Sequence, residues 1–155
     1  MTARADSRKI APGAMRALFG VNKYLTEESE IPKQLIDLVF LRTSQINGCA
    51  HCIDMHSRDL IEGGMDVEKL VLVPVWREAK SLFHERERAA LAWTESVTNV
   101  SSTEVPDADY EAASSVFSDK DLVDLTVVIS LMNAYNRLGV SMRLTPAAVS
   151  ALVGA

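Results

Sequence analysis

An all-α, single-domain fold is what this sequence predicts, on three observations. Apolar residues recur at helical spacing through most of the chain, and helix caps and glycine stops punctuate it. The one strongly β-branched run lies inside a pattern too long and too well capped to be a strand.

Residues 14–25 read as the first helix. Pro32 suits the first turn of the next, which Leu35, Leu38, Val39 and Leu41 carry to about Ile46, where Asn47-Gly48 stops it. A new helix starts near Cys49 and runs to about Glu62, ended by Gly63-Gly64. Asp66 caps a short helix to about Val73, ahead of Pro74. Residues 84–97, rich in Glu, Arg and Ala, form a strong helix, with His84 at its solvated start. Pro106-Asp107 opens another, to about Phe117. Ser118-Asp119-Lys120-Asp121 reads as a capping box with Asp in place of Glu, and its helix reaches about Leu138, before Gly139. A last short helix follows Thr145-Pro146. Within the long helix, residues 125–132 are apolar on nearly every side, the pattern of a helix buried inside the domain or against another subunit.

The 155 residues suit one ordinary domain, and an apolar share of 48% is enough to build its core without metal or disulfide staples. With 16 Lys plus Arg against 21 Asp plus Glu, and no basic cluster, nucleic acid and anionic membranes are not the expected partners. The polar N-terminal stretch lacks the apolar segment of a signal peptide, and no apolar run approaches bilayer length, so a cytoplasmic protein is expected. In a reducing compartment, two cysteines three residues apart are more often redox-active or metal-binding than a staple.

On an α-helix each residue advances about 100°, so Cys49, Cys52 and His56 fall within about 60° of one another. Cys52 and His56 are one turn apart and Cys49 and His56 about two, while His51 points some 100° away from Cys52. A free thiol is mostly protonated at neutral pH, and the thiolate is the nucleophile. The helix N-terminus just after Asn47-Gly48 and a neighbouring imidazole both favour deprotonation. Once one sulfur becomes a sulfenic acid, the other can condense with it to a disulfide that an external thiol reduces. Competing readings remain: a zinc site from Cys49, Cys52 and His56 with a fourth ligand, or two inert core cysteines. Haem attachment is excluded because Ile53, not His, follows Cys52. Asp37 interrupts an apolar run, and the pattern alone puts it on a solvent face with Lys33 and Ser44.

The stretch from Leu41 to His56, with its S-Q-I-N-G-C-A-H-C-I-D-M-H sequence, resembles the core motif of the alkylhydroperoxidase AhpD-like family within the carboxymuconolactone decarboxylase superfamily. Trp76-Arg77-Glu78, Glu87 to Trp93, and Asn133 to Leu138 are similar to its continuation, so the resemblance spans residues 32–143. It implies an all-α domain of about six helices, a trimeric or hexameric homo-oligomer, and peroxide reduction by the two cysteines without a cofactor. It implies that Cys52 attacks peroxide and Cys49 resolves. It places His56, His51 and Asp37 in a proton relay, with Asp37 standing where relatives usually carry Glu. The reductant it implies is an external thiol or a lipoyl-type carrier. The expected activity is therefore a thiol-dependent peroxidase acting on alkyl hydroperoxides. A carboxymuconolactone decarboxylase, whose relatives lack the CxxC pair, and a non-enzymatic redox sensor or zinc-stabilised interaction domain are the alternatives.

Overall fold

The computed structural model describes residues 3–153, and these are helical with no strand. The long helices are α2 (Pro12–Glu27), α3 (Lys33–Asn47), α4 (Ala50–Glu62), α6 (Glu85–Thr98) and α9 (Asp119–Met142). Between and around them lie α1 (Ser7–Ile10), α5 (Val67–Leu72), α7 (Val100–Thr103), α8 (Asp107–Ser114) and α10 (Ala147–Val153), with 3-10 turns at Val73–Val75 and Lys80–Leu82. The chain is thus cut into more helical segments than the six or so that the resemblance implies. The additions are single turns such as α1 and α7, too short to leave a periodic signature.

Most boundaries follow from local chemistry. Gly48 takes the left-handed conformation (φ 68°) that ends α3. Its N–H donates to the Gln45 carbonyl and that of Cys49 to the Ser44 carbonyl, a Schellman closure that turns the chain directly into α4. Ser118 Oγ accepts from the Asp121 N–H at 3.1 Å, so the serine half of the expected capping box forms. His84 caps α6, its N–H donating to Glu87 Oε2, and its side chain is exposed, as expected.

α3 is the central element and packs against α4, α6 and α9. Leu35 through Leu41, then Thr43 and Ser44, are all buried on it. This overturns the solvent-face reading of Asp37 and Ser44, because beyond its first turn the helix is covered by its neighbours, and of that predicted face only Lys33 is exposed. α9 is the reverse case. Leu122, Leu125, Val128, Ile129, Leu131 and Met132 point inward, but Val123 remains 61% exposed, so the helix is not covered all round within the chain. It also continues a turn past Gly139, which lies inside it rather than at its end.

Two polar clusters tie the core. Asn47 Nδ2 donates to Asn133 Oδ1 and Asn136 Oδ1 at 3.0 Å, and Asn136 Nδ2 donates to Ser44 Oγ at 3.0 Å, fixing α9 against the α3–α4 corner. Glu95 of α6 accepts from Arg42 Nε (2.8 Å), Trp76 Nε1 (3.0 Å) and Arg77. Burial alone would raise the Glu95 pKa, but these donors outweigh it and hold the carboxyl below its ordinary value.

Candidate active site

The α3–α4 corner sets the site. Cys49 is the N-cap of α4 and Cys52 lies in its first turn, and the two are joined as a disulfide with Cα atoms 5.4 Å apart. Both are buried, at 1% and 3% exposure. In this form neither sulfur is a thiolate, so the zinc reading through Cys49, Cys52 and His56 has no thiolate ligands here.

Gly139 of α9 is the seat of the pair. A Cβ on it would lie 2.9 Å from Cys49 Sγ and 3.5 Å from Cys52 Sγ. Glycine is needed there for close approach and not for an unusual backbone, which is why it can sit inside a helix despite its cost to helix stability.

His56, the next turn of α4, is 5% exposed and packs against the Phe40 ring at a centroid distance of 5.0 Å. Its Nδ1 is 3.3 Å from Asp59 Oδ2, off the direction a hydrogen bond would take, and neither ring nitrogen has a hydrogen-bond partner among the described residues. Burial pushes the imidazole pKa below 6.5; the carboxylates of Asp59 and Asp37 oppose this, and Lys33 adds to it. The ring is therefore neutral at pH 7 and able to accept a proton.

Asp37 lies on the α3 face toward α4, 7% exposed, and its Oδ2 accepts from Lys33 Nζ at 2.5 Å. Ligand atoms of Asp37, His56 and Asp59 all fall within 4.8 Å of one another. His51 is half-buried, and its Nδ1 is 2.9 Å from the Thr145 carbonyl oxygen, so Nδ1–H is the donor and Nε2 is left as the acceptor. Asp54 Oδ2 accepts from the Ala148 N–H, so two polar contacts tie α4 to the start of α10 and to the Thr145 carbonyl just before it.

A cavity of about 680 Å³ opens onto these groups. Cys52, His51, His56 and Asp37 line it, while Cys49 does not. Its apolar wall includes Phe19, Met55, Met132 and Tyr135, and its outer edge carries Asp6 and Arg8 from the N-terminal turn. The Tyr135 hydroxyl is buried with no hydrogen-bond partner, and burial raises its pKa. All five residues singled out from the sequence thus belong to one locale. Sequence reasoning missed Asp59 and Tyr135. Asp59 was within reach, since it follows His56 by three residues and Cys52 by seven and so shares their stripe. Tyr135 was not, because nothing local to α9 says which of its faces meets α2.

The fold and this motif together define a member of a known family. A model of the carboxymuconolactone decarboxylase family matches residues 12–96, more than half of the chain. The chain belongs to that family. It is 33% identical over 142 residues to an uncharacterised protein of Bacillus subtilis (strain 168), YdfG, covering 92% of this chain and 95% of that one. Among solved structures it is similar to an Agrobacterium tumefaciens protein of unknown function described as a candidate antioxidant defence protein AhpD. That likeness has 35% identity and a TM-score of 0.89, covering 94% of this chain and 98% of the other. A peroxidase-related protein with an AhpD core from Ralstonia eutropha JMP134 follows at 25% identity and a TM-score of 0.78, covering 90% and 74%. The AhpD-like assignment within the family is therefore sound. No helix among the described residues is long and apolar enough to cross a membrane.

Proposed function

We propose that the protein is a thiol-dependent peroxidase that reduces organic hydroperoxides through a Cys49–Cys52 cycle. The observation that carries this reading is a closed disulfide whose Cys52 member, with the neutral His56, lines an apolar cavity large enough for an organic substrate. In the reduced protein, His56 takes the Cys52 proton. The thiolate attacks the peroxide, forming an S–O bond and breaking the O–O bond. The proton goes to the departing alkoxide, and the products are an alcohol and a Cys52 sulfenic acid. Cys49 then displaces that oxygen as water and closes the disulfide. An external dithiol of lipoyl type or another thiol returns both cysteines to the reduced state, which balances the cycle.

The test uses the two single-cysteine variants, one equivalent of cumene hydroperoxide and a sulfenic-acid trap. Cys49→Ala is expected to accumulate trapped sulfenate at Cys52, and Cys52→Ala to react slowly. Rapid sulfenate formation at Cys49 in Cys52→Ala would reverse the assignment. Unchanged thiol counts in the wild-type protein after peroxide would refute the activity.

A further inference from the structure

We propose that Asp37, His56 and Asp59 form a binding site for a divalent cation of the zinc type, distinct from the cysteine pair. Three observations converge on it. The two carboxylates and the imidazole bring one ligand atom each within 4.8 Å of the others. His56 Nδ1 and Asp59 Oδ2 are 3.3 Å apart, which is the edge of a tetrahedron whose metal–ligand bonds are about 2.0 Å. The His56 side chain is 7% exposed, and neither of its nitrogens has a hydrogen-bond partner among the described residues. A buried ring with both nitrogens unused is costly unless something binds it.

The ligand set is one neutral imidazole and two carboxylates, a borderline donor set that suits Zn²⁺ and leaves a fourth position for water. All three residues line the cavity, so a cation can enter from solvent without unfolding the core. Lys33 is the competitor. Its ammonium already sits on Asp37 Oδ2, but its side chain is 72% exposed and free to swing into water, and Oδ1 of Asp37 is not engaged by it. Occupancy would take the nitrogen lone pair that the proposed peroxidase cycle uses as its base, so the cation would act as a brake on thiol ionisation.

Titration calorimetry of ZnCl₂ into the disulfide form tests the site without turnover and with no free thiol to bind the metal, so its failure leaves the peroxidase reading standing. One Zn²⁺ per chain is expected. Asp59→Asn and Asp37→Asn should each weaken binding at least about tenfold while the far-UV circular dichroism stays that of the wild type, since losing even a group that only orients a metal ligand costs about 10–100-fold. Asp54→Asn, an acidic residue on α4 outside the cluster, should leave it unchanged. Lys33→Met should tighten it by removing the competing charge. Absence of binding, or binding indifferent to Asp59→Asn and Asp37→Asn, would overturn the proposal.

Discussion

Gly139→Ala places the most direct demand on this architecture, because two effects of opposite sign meet at one atom. Alanine in a helix interior is worth about 1 kcal/mol over glycine, so an unobstructed site would be stabilised. Here the added Cβ falls 2.9 Å from Cys49 Sγ, and at least about 0.5 Å of movement is needed to reach ordinary contact. Neither partner gives easily: Cys49 is 1% exposed and tethered through its sulfur to Cys52, and Gly139 is buried in the last turn of α9 with its carbonyl accepting from the Arg143 and Leu144 N–H groups that close the helix. Overpacking of this kind costs about 1–3 kcal/mol. The cost falls mainly on the disulfide form, since a free Cys49 thiol regains rotation about its own side chain. The variant's disulfide should therefore be easier to reduce. Since about 1.4 kcal/mol corresponds to 30 mV for a two-electron couple, its potential should rise by about 20–60 mV. Equilibration in graded dithiothreitol redox buffers, with alkylation and mass readout of free thiols, measures it. An unchanged or more negative potential, with both redox forms gaining the stability that alanine lends a helix, would refute the reasoning.

His56→Ala should slow peroxide oxidation of the thiols most at neutral pH, with the defect shrinking above about pH 9, where a thiol ionises unaided; stopped-flow rates across pH measure this, and an equal defect throughout would make His56 structural. Asp37→Asn should follow the same trend more weakly. Acid should destabilise the native state through the same ring. Burial lowers its folded pKa below the ordinary 6.5, with Asp59, Asp37 and Lys33 as the charged groups acting on it, so the unfolded chain binds the proton first. The stabilising contribution is full above about pH 6.5 and is lost as pH falls through the folded value, so the melting temperature should drop over that interval, and less so in His56→Asn. Light scattering coupled to gel filtration should give a mass several times 17.0 kDa, as the family resemblance implies; a monomer at micromolar concentration would remove the oligomer.

What the sequence made legible was local. The stop at Asn47-Gly48, the start of α4 and the common stripe of Cys49, Cys52 and His56 depend on backbone conformation and a 100° advance, and both are written in neighbouring residues. What it hid was non-local. Gly139 reads as a helix stop because glycine usually is one there, yet its role is set by two sulfurs some ninety residues earlier in the chain. Asp37 reads as solvated because periodicity assigns faces but cannot say that α3 is covered beyond its first turn. The family resemblance sets Asp37 beside His56, which the periodic pattern does not, and in the fold the two carry ligand atoms within 4.8 Å of each other.

The same distinction bears on which sulfur reacts. From the sequence, the helix dipole favours Cys49 as the residue nearer the N-terminus, and the base favours Cys52. With Cys49 as the N-cap, the dipole argument loses its preference. Cys52 is the third residue of α4, inside the first turn where backbone N–H groups are unpaired, so its sulfur also feels the positive end. The cavity then separates the two. It is lined by Cys52 and His56 but not by Cys49, whose sulfur is turned against Gly139. In the proposed cycle a hydroperoxide in this cavity would meet Cys52, with His56 a turn away as its base. Cys49 would then be the resolving thiol, off the cavity lining and within disulfide reach of Cys52. On this reading the absence of a side chain at position 139 and the division of labour between the cysteines have one cause. The resolving thiol must be packed out of the cavity, and only a glycine leaves room to pack it there.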